Sequence, residues 1–453
     1  MTSTAHTNSG SQSSGARLSG TVIRPGDATY DQARRVWNGM IDCSPRMIVR
    51  CSSTADVVAA VNFAREEGIV LAVRGGGHNA AGLATCDDGL VVDLSPMRVV
   101  TVDPARRTAR VQGGALWRDL DAATHPHGLA TTGGVISTTG VGGLTLGGGL
   151  GWMMRQHGLA CDNVLSAEIV TADGQVRRVS ATENPDLFWG IRGGGGNFGV
   201  VTTFEFRLHP MSTLYAGMLV FPGSQAPEVL RRYRDLAMSA PDELTLFTGL
   251  MTSPDGQPIN AVFVGYDGPA SKGEAAIKPL RDLGPVADQV AEMPYPALQS
   301  MLDEGFPSGL NVYWRSDFLK GLPDGAIDML VDRFASITSP LSALLIEQFG
   351  GAVARVPADE TAFAQRNAMF NLAVITRWTD AATASTHIDW ARQTSEAARP
   401  YTSGGTYVNY LGMEGPDRVR AAYGAKYDRL VALKQKYDPT NLFRVNQNIQ
   451  PAR

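Results

Sequence analysis

Three sets of residues in this chain have types and spacings that could carry chemistry. The first is Ala72-Val73-Arg74-Gly75-Gly76-Gly77-His78-Asn79-Ala80-Ala81-Gly82. Residues 69–73 are apolar and β-prone, which predicts a strand, and three glycines follow directly. Glycine permits positive φ and puts no Cβ between backbone N–H groups and an anion. Arg74 adds positive charge beside them, so the segment reads as a phosphate cradle ending in an imidazole. It is neither a Rossmann fingerprint, whose last glycine opens a helix, nor a Walker loop, which needs Gly-Lys-Ser/Thr. Here the glycines lead through His78 to another strand at 90–94. A second glycine stretch, 133–152, reads GGVISTTGVGGLTLGGGLGW. Two such clusters predict close approach of main chain to one extended ligand, a dinucleotide.

The second set is a lone carboxylate. Glu347 sits in Leu344-Leu345-Ile346-Glu347-Gln348-Phe349, an otherwise apolar run. A carboxylate there is paired, raised in pKa or facing a cavity, or else it points to solvent. The third set is Tyr407 and Asn409, two apart on an expected strand at 407–410 and so on one face, with Tyr410 on the other. A tyrosine acting as a base needs its pKa of about 10 lowered by a nearby cation or charged partner.

These groups must be positioned by more than one core, since 453 residues exceed an ordinary single domain. The composition is globular, with 43% hydrophobic and 19% charged residues, and the net charge of −4 offers no basic surface for nucleic acid or anionic membrane. Glycine is in excess, 50 residues, concentrated between Gly75 and Gly199. The four cysteines, Cys43, Cys51, Cys86 and Cys161, have no metal spacing, and reduced thiols in a cytoplasmic protein are the expectation. Residues 1–20 read as a disordered leader without the apolar core of a secretory signal. No stretch approaches the roughly 18 apolar residues that would span a bilayer.

Along the chain, the pattern predicts helices at 30–41, 53–65 and 116–125. It predicts strands at 48–51, 69–73 and 90–94, with two more between 99 and 111. A hairpin is expected at 167–179, a short helix at 184–189, and a strand at 200–208 lying at a buried sheet edge. Past residue 210 glycine thins out. Strands expected at 215–221, 244–251, 261–266, 344–349 and 370–378 alternate with helices at 226–238, 272–283, 326–336 and 385–398, an antiparallel sheet covered by helices on one side. The tail adds one long amphipathic helix at 416–437, stopped by Asp438-Pro439.

Four segments, RGGGHNAAG, GVGGLTLGGGLGWMMRQHGLACDN, NPDLFWGIRGGGGNFGVVT and YDPTNLFRVNQNI, stand in the order found in one family. From about Thr21 to Pro451 the chain resembles the berberine-bridge-enzyme-like branch of the FAD-linked oxidases, the vanillyl-alcohol-oxidase superfamily. It resembles bacterial members such as 6-hydroxynicotine oxidase and the enterocin-pathway flavin oxygenase. The resemblance implies an α+β fold with a PCMH-type FAD-binding domain of two subdomains (21–210), a substrate domain with a helix-covered antiparallel sheet (211–404), and a segment (405–453) returning to the FAD domain.

The resemblance also implies site residues. The pyrophosphate would lie on Arg74, Gly75, Gly76, Gly77, His78 and Asn79, with Gly82 closing the loop and His78 bonded to the flavin 8α-methyl. Thr138, Gly142, Gly143, Leu144 and Gly147 would pass beside the cofactor. Val170 would hold the adenine end, and Asn446 or Asn448 would bring the tail to the flavin. Many members attach the flavin a second time through a cysteine, where this chain has Ile136. That departure implies a single link, with Cys161 a buried thiol. Glu347 or Tyr407, the latter with Asn409, is the expected base, and Thr139 would set access of O2. The implied activity is oxidation of a small apolar, aromatic or polyketide-like metabolite by O2. An N5-oxygenated flavin acting on a polyketide, or a non-catalytic flavoprotein that sequesters a metabolite, are the alternatives. Phe247, Met251, Tyr313, Trp314, Phe370, Trp378 and Tyr407 are candidate pocket walls or ordinary core.

Overall fold

The computed structural model describes residues 18–452. Most of the expected leader lies outside them; at its described end Leu18 packs on the core of the first sheet.

That first sheet has four strands in the order Thr21–Ile23, Met47–Arg50, Leu90–Asp93 and Leu71–Arg74, the last three mutually parallel. The helix Thr54–Glu67 packs on it through Val57, Ala60, Val61 and Ala64. Ser53 and Asp56 close it with a capping box, and Gly68 ends it at φ +66°. The helix expected at 30–41 shrinks to one turn, Tyr30–Ala33. Tertiary contacts override its helical pattern. The Trp37 N–H donates to Gly77 O at 3.0 Å, and Asn38 Nδ2 donates to Ala80 O and Val312 O. A Cβ on Gly39 would stand 2.2 Å from Gly309 O. The segment is unwound because it is laid across the cradle.

The second sheet has five strands, in the order Val100–Asp103, Thr108–Gln112, Val200–Arg207, Val164–Val170 and Val176–Ser180. Val200–Arg207 is its middle strand, not an edge: Thr203 faces Gln112 on one side and Glu168 on the other. Its alternation marks one face turned to the core, where Phe204 and Phe206 pack with Trp117. Alternation alone does not distinguish a central strand from an edge.

The third sheet is antiparallel and eight-stranded. Its long strands run in the order Thr213–Pro222, Pro258–Tyr266, Leu244–Thr252, Ala343–Gln348, Phe370–Trp378 and Asn311–Leu319. The helices Ala226–Ser239, Ala270–Arg281, Asp324–Ala335 and Ala384–Ala398 supply one core with Leu344, Ile346, Leu372 and Val374. The alternate residues Leu345, Ala373 and Ile375 join Trp314 and Trp37 on the opposite face. Asn311–Leu319 went unanticipated because Arg315, Ser316 and Asp317 interrupt its apolar run. Each has a partner: Arg315 pairs with Glu414, Asp317 with Arg418, and Ser316 bonds Asn371.

The tail differs from expectation twice. Residues 408–410 form a 3₁₀ turn, Val408–Tyr410, rather than a strand. The single helix at 416–437 is broken into Pro416–Tyr423 and Tyr427–Tyr437 by a turn at Gly424, φ +49°. Lys434, fully buried, ion-pairs with Asp438 at 2.7 Å and donates to the carbonyls of Asn197 and Phe443. That knot ties the chain end to the glycine-rich run at 193–199, where the Ile449 N–H donates to Asn197 Oδ1 at 2.9 Å. Among the described residues no helix is long and apolar enough to cross a membrane.

Candidate functional site

The two glycine stretches meet backbone to backbone. A Cβ on Gly76 would lie 2.5 Å from Gly140 N, and one on Gly140 would lie 2.4 Å from Gly76 N. Only residues without side chains can cross here. Near this crossing lie two cavities, of about 170 and 190 Å³, the second lined by both Gly76 and Gly140. Val73, Gly75, Asn79, Gly143 and Asn409 wall both, so the two form one trench.

The trench wall is shaped for a ligand that approaches main chain. Gly143 and Gly196 line it, and a Cβ on either would meet no protein atom within 4 Å. Among the described residues the N–H groups of Gly76, Gly77 and His78 have no acceptor. His78 Nε2 and Asn446 Oδ1, on the trench wall, are buried without a partner, as is Asn448 Oδ1, which lines neither cavity. These free groups fit a long ligand with anionic and heterocyclic parts, which is what a flavin dinucleotide is. Gly142 and Asn446 also line the first cavity, and Leu144 the second. Gly147 is held against Asn409, whose Oδ1 would be 2.0 Å from a Cβ there. Gly82, at φ +76°, closes the loop against Ile41. Val170 is fully buried in the core behind the trench, paired with Val200 of its wall.

Arg74 departs from expectation. Its guanidinium turns away from the trench to Asp93 Oδ2 at 2.9 Å and to the carbonyls of Ala33 and Arg35. Its charge serves the strand pair that carries the cradle. Among the described residues no Lys or Arg lines the first cavity, which leaves main-chain N–H groups and asparagines to face an anion.

His78 stands on the wall of the second cavity and stacks on Trp37, centroids 4.4 Å apart and planes at 19°. Burial pulls its pKa down to about 4, so the imidazole is neutral near pH 7, with a nucleophilic nitrogen. Ile136 and Thr139 share this wall, while Thr138 lines a separate outer cavity. Cys161 is fully buried, its Sγ 3.6 Å from Asp162 Oδ1, and burial raises its thiol pKa.

The third sheet and the tail contribute side chains to the same cavity as His78. Glu347 is buried, accepting from Asn371 Nδ2 at 2.6 Å and from Tyr410 Oη at 2.8 Å. Neither donor is a cation. Burial pushes the Glu347 pKa up to about 7 against these two bonds. The solvent-facing alternative for Glu347 is thereby overturned. Tyr407 Oη accepts from Gly149 N, Leu150 N and Asn409 Nδ2, at 3.0, 3.3 and 2.8 Å. Burial nevertheless raises its pKa, the reverse of what a tyrosine base requires. The 3₁₀ turn also brings Tyr410 to the same side, its ring 4.9 Å from that of Tyr407.

Of the seven apolar pocket candidates, Trp314 and Tyr407 line the trench. Phe370 belongs to the core under the helices, and Phe247 packs on Trp152. Met251 and Tyr313 pack against core clusters and Trp378 stacks on His387; none of these five is on the trench wall. Asn371 and Trp37 escaped the sequence reading. Asn371 carried a usable signal: it is a lone amide in an apolar strand, directly opposite Glu347 in the sheet register. Trp37 carried none.

Residues 45–180 match the family described as FAD binding domain, and residues 406–450 the one described as berberine and berberine like. The chain is 34% identical to the (R)-6-hydroxynicotine oxidase of Paenarthrobacter nicotinovorans, over 96% of this chain and 97% of that one. An FAD-linked oxidoreductase of Dictyostelium discoideum is also 34% identical, over 96% and 95%. Among solved structures, 6-hydroxy-D-nicotine oxidase from Arthrobacter nicotinovorans superposes with a TM-score of 0.90 at 31% identity, covering 97% of this chain and 99% of that one. The xylooligosaccharide oxidase of Myceliophthora thermophila superposes at 0.86 with 26% identity, covering 95% and 97%.

Proposed function

Because this chain belongs to the berberine-bridge-enzyme-like family of FAD-linked oxidoreductases, we propose that it is an oxidase for a small apolar or aromatic metabolite, with O2 as acceptor and FAD attached once, through His78. The observation that carries this reading is the pairing across one cavity of an unbonded, neutral His78 Nε2 with a buried carboxyl, Glu347, poised near neutrality. A flavoprotein that only stored a metabolite would have no use for such a carboxyl.

FAD, when bound, supplies the two-electron acceptor. Gly75, Gly76, Gly77, Asn79, Gly142, Gly143 and Asn446 would hold it along the trench, with Gly147 fixing Asn409 beside it. Glu347 takes the proton from a substrate O–H or N–H as the adjacent C–H is oxidised. Its pKa near the working pH suits it to that task. Asn371 and Tyr410 fix the carboxyl's orientation and keep its charged form accessible. Tyr407 stays protonated, and its hydroxyl, held by three donors, positions the substrate heteroatom. Trp314, Ile375, Leu345 and Leu302 make the rest of the wall apolar and exclude water, which selects an apolar or aromatic substrate.

The test of attachment is acid precipitation of the denatured protein. The wild type keeps its yellow colour in the pellet, and His78→Ala releases it to the supernatant. Intact FAD in the wild-type supernatant would overturn the covalent link.

A further inference from the structure

The loop from Gly75 to His78 has a second side. There lies an outer cavity of about 640 Å³. The loop itself and the ring of Phe306 wall both this cavity and the inner one that holds Glu347. A space of this size admits a planar molecule of one or two rings.

Trp37 connects the two spaces. It lines the outer cavity, stacks on His78 at 4.4 Å, and meets Trp314 of the inner cavity edge-on at 5.5 Å. Its position is fixed by bonds from its Nε1 to Phe306 O at 3.2 Å and from its N–H to Gly77 O at 3.0 Å. The outer wall is also cationic. Asp93 alone answers both Arg74, at 2.9 Å, and Arg50, at 3.7 Å. Asp303 also lines this wall, its oxygens accepting from Ser137 at 2.8 and 2.5 Å, so three arginines face two carboxylates. Arg35 is exposed, and among the described residues its guanidinium has no partner.

We propose that the outer cavity is a docking site for a second electron acceptor, a planar quinone-type molecule carrying negative charge, reached by electrons through the stacked rings of His78 and Trp37. This rests on reading the trench as the flavin site with His78 at its edge. Substrate oxidation releases two electrons and two protons. The acceptor takes two electrons in single steps and two protons from solvent, its carbonyl-type groups becoming hydroxyl-type, while His78 and Trp37 end unchanged. Arg35 and Arg50 attract the anion, and the Trp37 and Phe306 rings give it flat walls.

The probe is 2,6-dichloroindophenol, a planar anionic quinone imine. Equilibrium dialysis against the oxidised holoprotein, without substrate and so without turnover, is expected to give one saturable dye site per chain. Arg35→Glu, at an exposed position, weakens it at least tenfold. Anaerobic mixing of dithionite-reduced holoprotein with dye gives a reoxidation rate that saturates. Arg35→Glu moves that saturation to at least tenfold higher dye but leaves reoxidation by O2 unchanged, and Trp37→Leu lowers the limiting rate at least tenfold. Trp37 is buried, so Arg35→Glu decides the matter if the tryptophan variant does not fold. Dye reoxidation that is linear in concentration and indifferent to Arg35→Glu overturns the proposal and leaves the flavin site standing. A holoprotein with no flavin to reduce overturns the flavin reading itself.

Discussion

The trench has two walls made in opposite ways. One is main chain: Gly75 to Asn79, Gly140 to Gly143 and Gly195 to Asn197 bring backbone to the cavity surface. The other is side chain: Trp314, Leu345, Glu347, Ile375 and Tyr410 arrive from three strands and the tail. The main-chain wall tolerates almost no added atom, because its shape comes from the absence of side chains. The side-chain wall can change chemistry without disturbing the sheet beneath it, since alternate residues of the same strands hold the core. On the proposed assignment, the cofactor's wall is the one that resists substitution and the substrate's wall the one that admits it.

The largest predicted effects come from breaking the main-chain wall. Gly140 has an ordinary φ of −70°, so alanine is objectionable only through space. Its Cβ would lie 2.4 Å from Gly76 N, and neither backbone can yield without moving the cradle. Gly140→Ala is expected to cost on the order of 3 kcal/mol and to yield protein without flavin. Gly143→Ala sharpens the comparison. Its Cβ meets no protein atom, so the variant should melt near the wild type yet take up FAD poorly. Thermal denaturation and the ratio of flavin to protein absorbance check both. A wild-type flavin content in Gly143→Ala would show that this wall does not face the cofactor.

The same asymmetry decides what could be read from sequence. The cradle was legible because a run of glycines ending in histidine has few physical explanations and its members are contiguous. Both Gly76 and Gly140 fall within glycine-rich stretches that stand out in the sequence; that they touch each other is not visible there. The side-chain wall was legible in part: Glu347 clashes with its apolar neighbours in sequence, and Trp314 and Tyr407 were two of seven apolar candidates of which the other five lie elsewhere. Tyr410 was assigned to the wrong side because period-two logic was applied to a 3₁₀ turn. Arg74 was assigned to the phosphate because its buried partner, Asp93, comes from a parallel neighbouring strand that local sequence does not reveal. Trp37 lies in a pattern that reads as helix, and its bonds to Gly77, Phe306 and Gly309, all distant in sequence, hold it out of one.

On the side-chain wall the next effect in size is Glu347→Gln. It removes the proposed base and keeps the shape, so kcat/KM should fall about 10²- to 10³-fold with flavin content unchanged. In the wild type the rate should rise with pH through about 7, as the carboxyl ionises, and the variant should lose that limb. Stability runs the other way. The folded pKa is raised from 4.5, so the contribution of Glu347 is intact below about pH 4.5 and is lost as pH rises towards 7, at up to roughly 1.4 kcal/mol per unit. Denaturation midpoints of wild type and variant should therefore move in the variant's favour between pH 5 and 8. A wild-type stability that climbs across that interval relative to the variant would remove Glu347 from the role.

Tyr410→Phe is smaller. It deletes one of two donors to the carboxylate, which disfavours the charged form, so the acidic limb of the rate profile should move up by on the order of one pH unit. The plateau rate should change little, because Asn371 still orients the carboxyl. A limb that stays in place would mean that the titrating group lies elsewhere.

The smallest expected effect tests the single attachment. Cys161 is contiguous with the second glycine-rich motif and is the nearest thiol in sequence to the position where Ile136 stands. Space separates it from the cofactor: Ile136 lines the trench and Cys161 does not. Its sulfur lies in a closed core beside Asp162, which is itself committed to Arg366 at 2.6 Å. Cys161→Ala should therefore keep all its flavin through acid precipitation and lose only about 1 kcal/mol of stability, the cost of a small buried void. Flavin kept in the acid pellet by His78→Ala and lost from the His78→Ala/Cys161→Ala double variant would make the thiol a second anchor and overturn the single attachment.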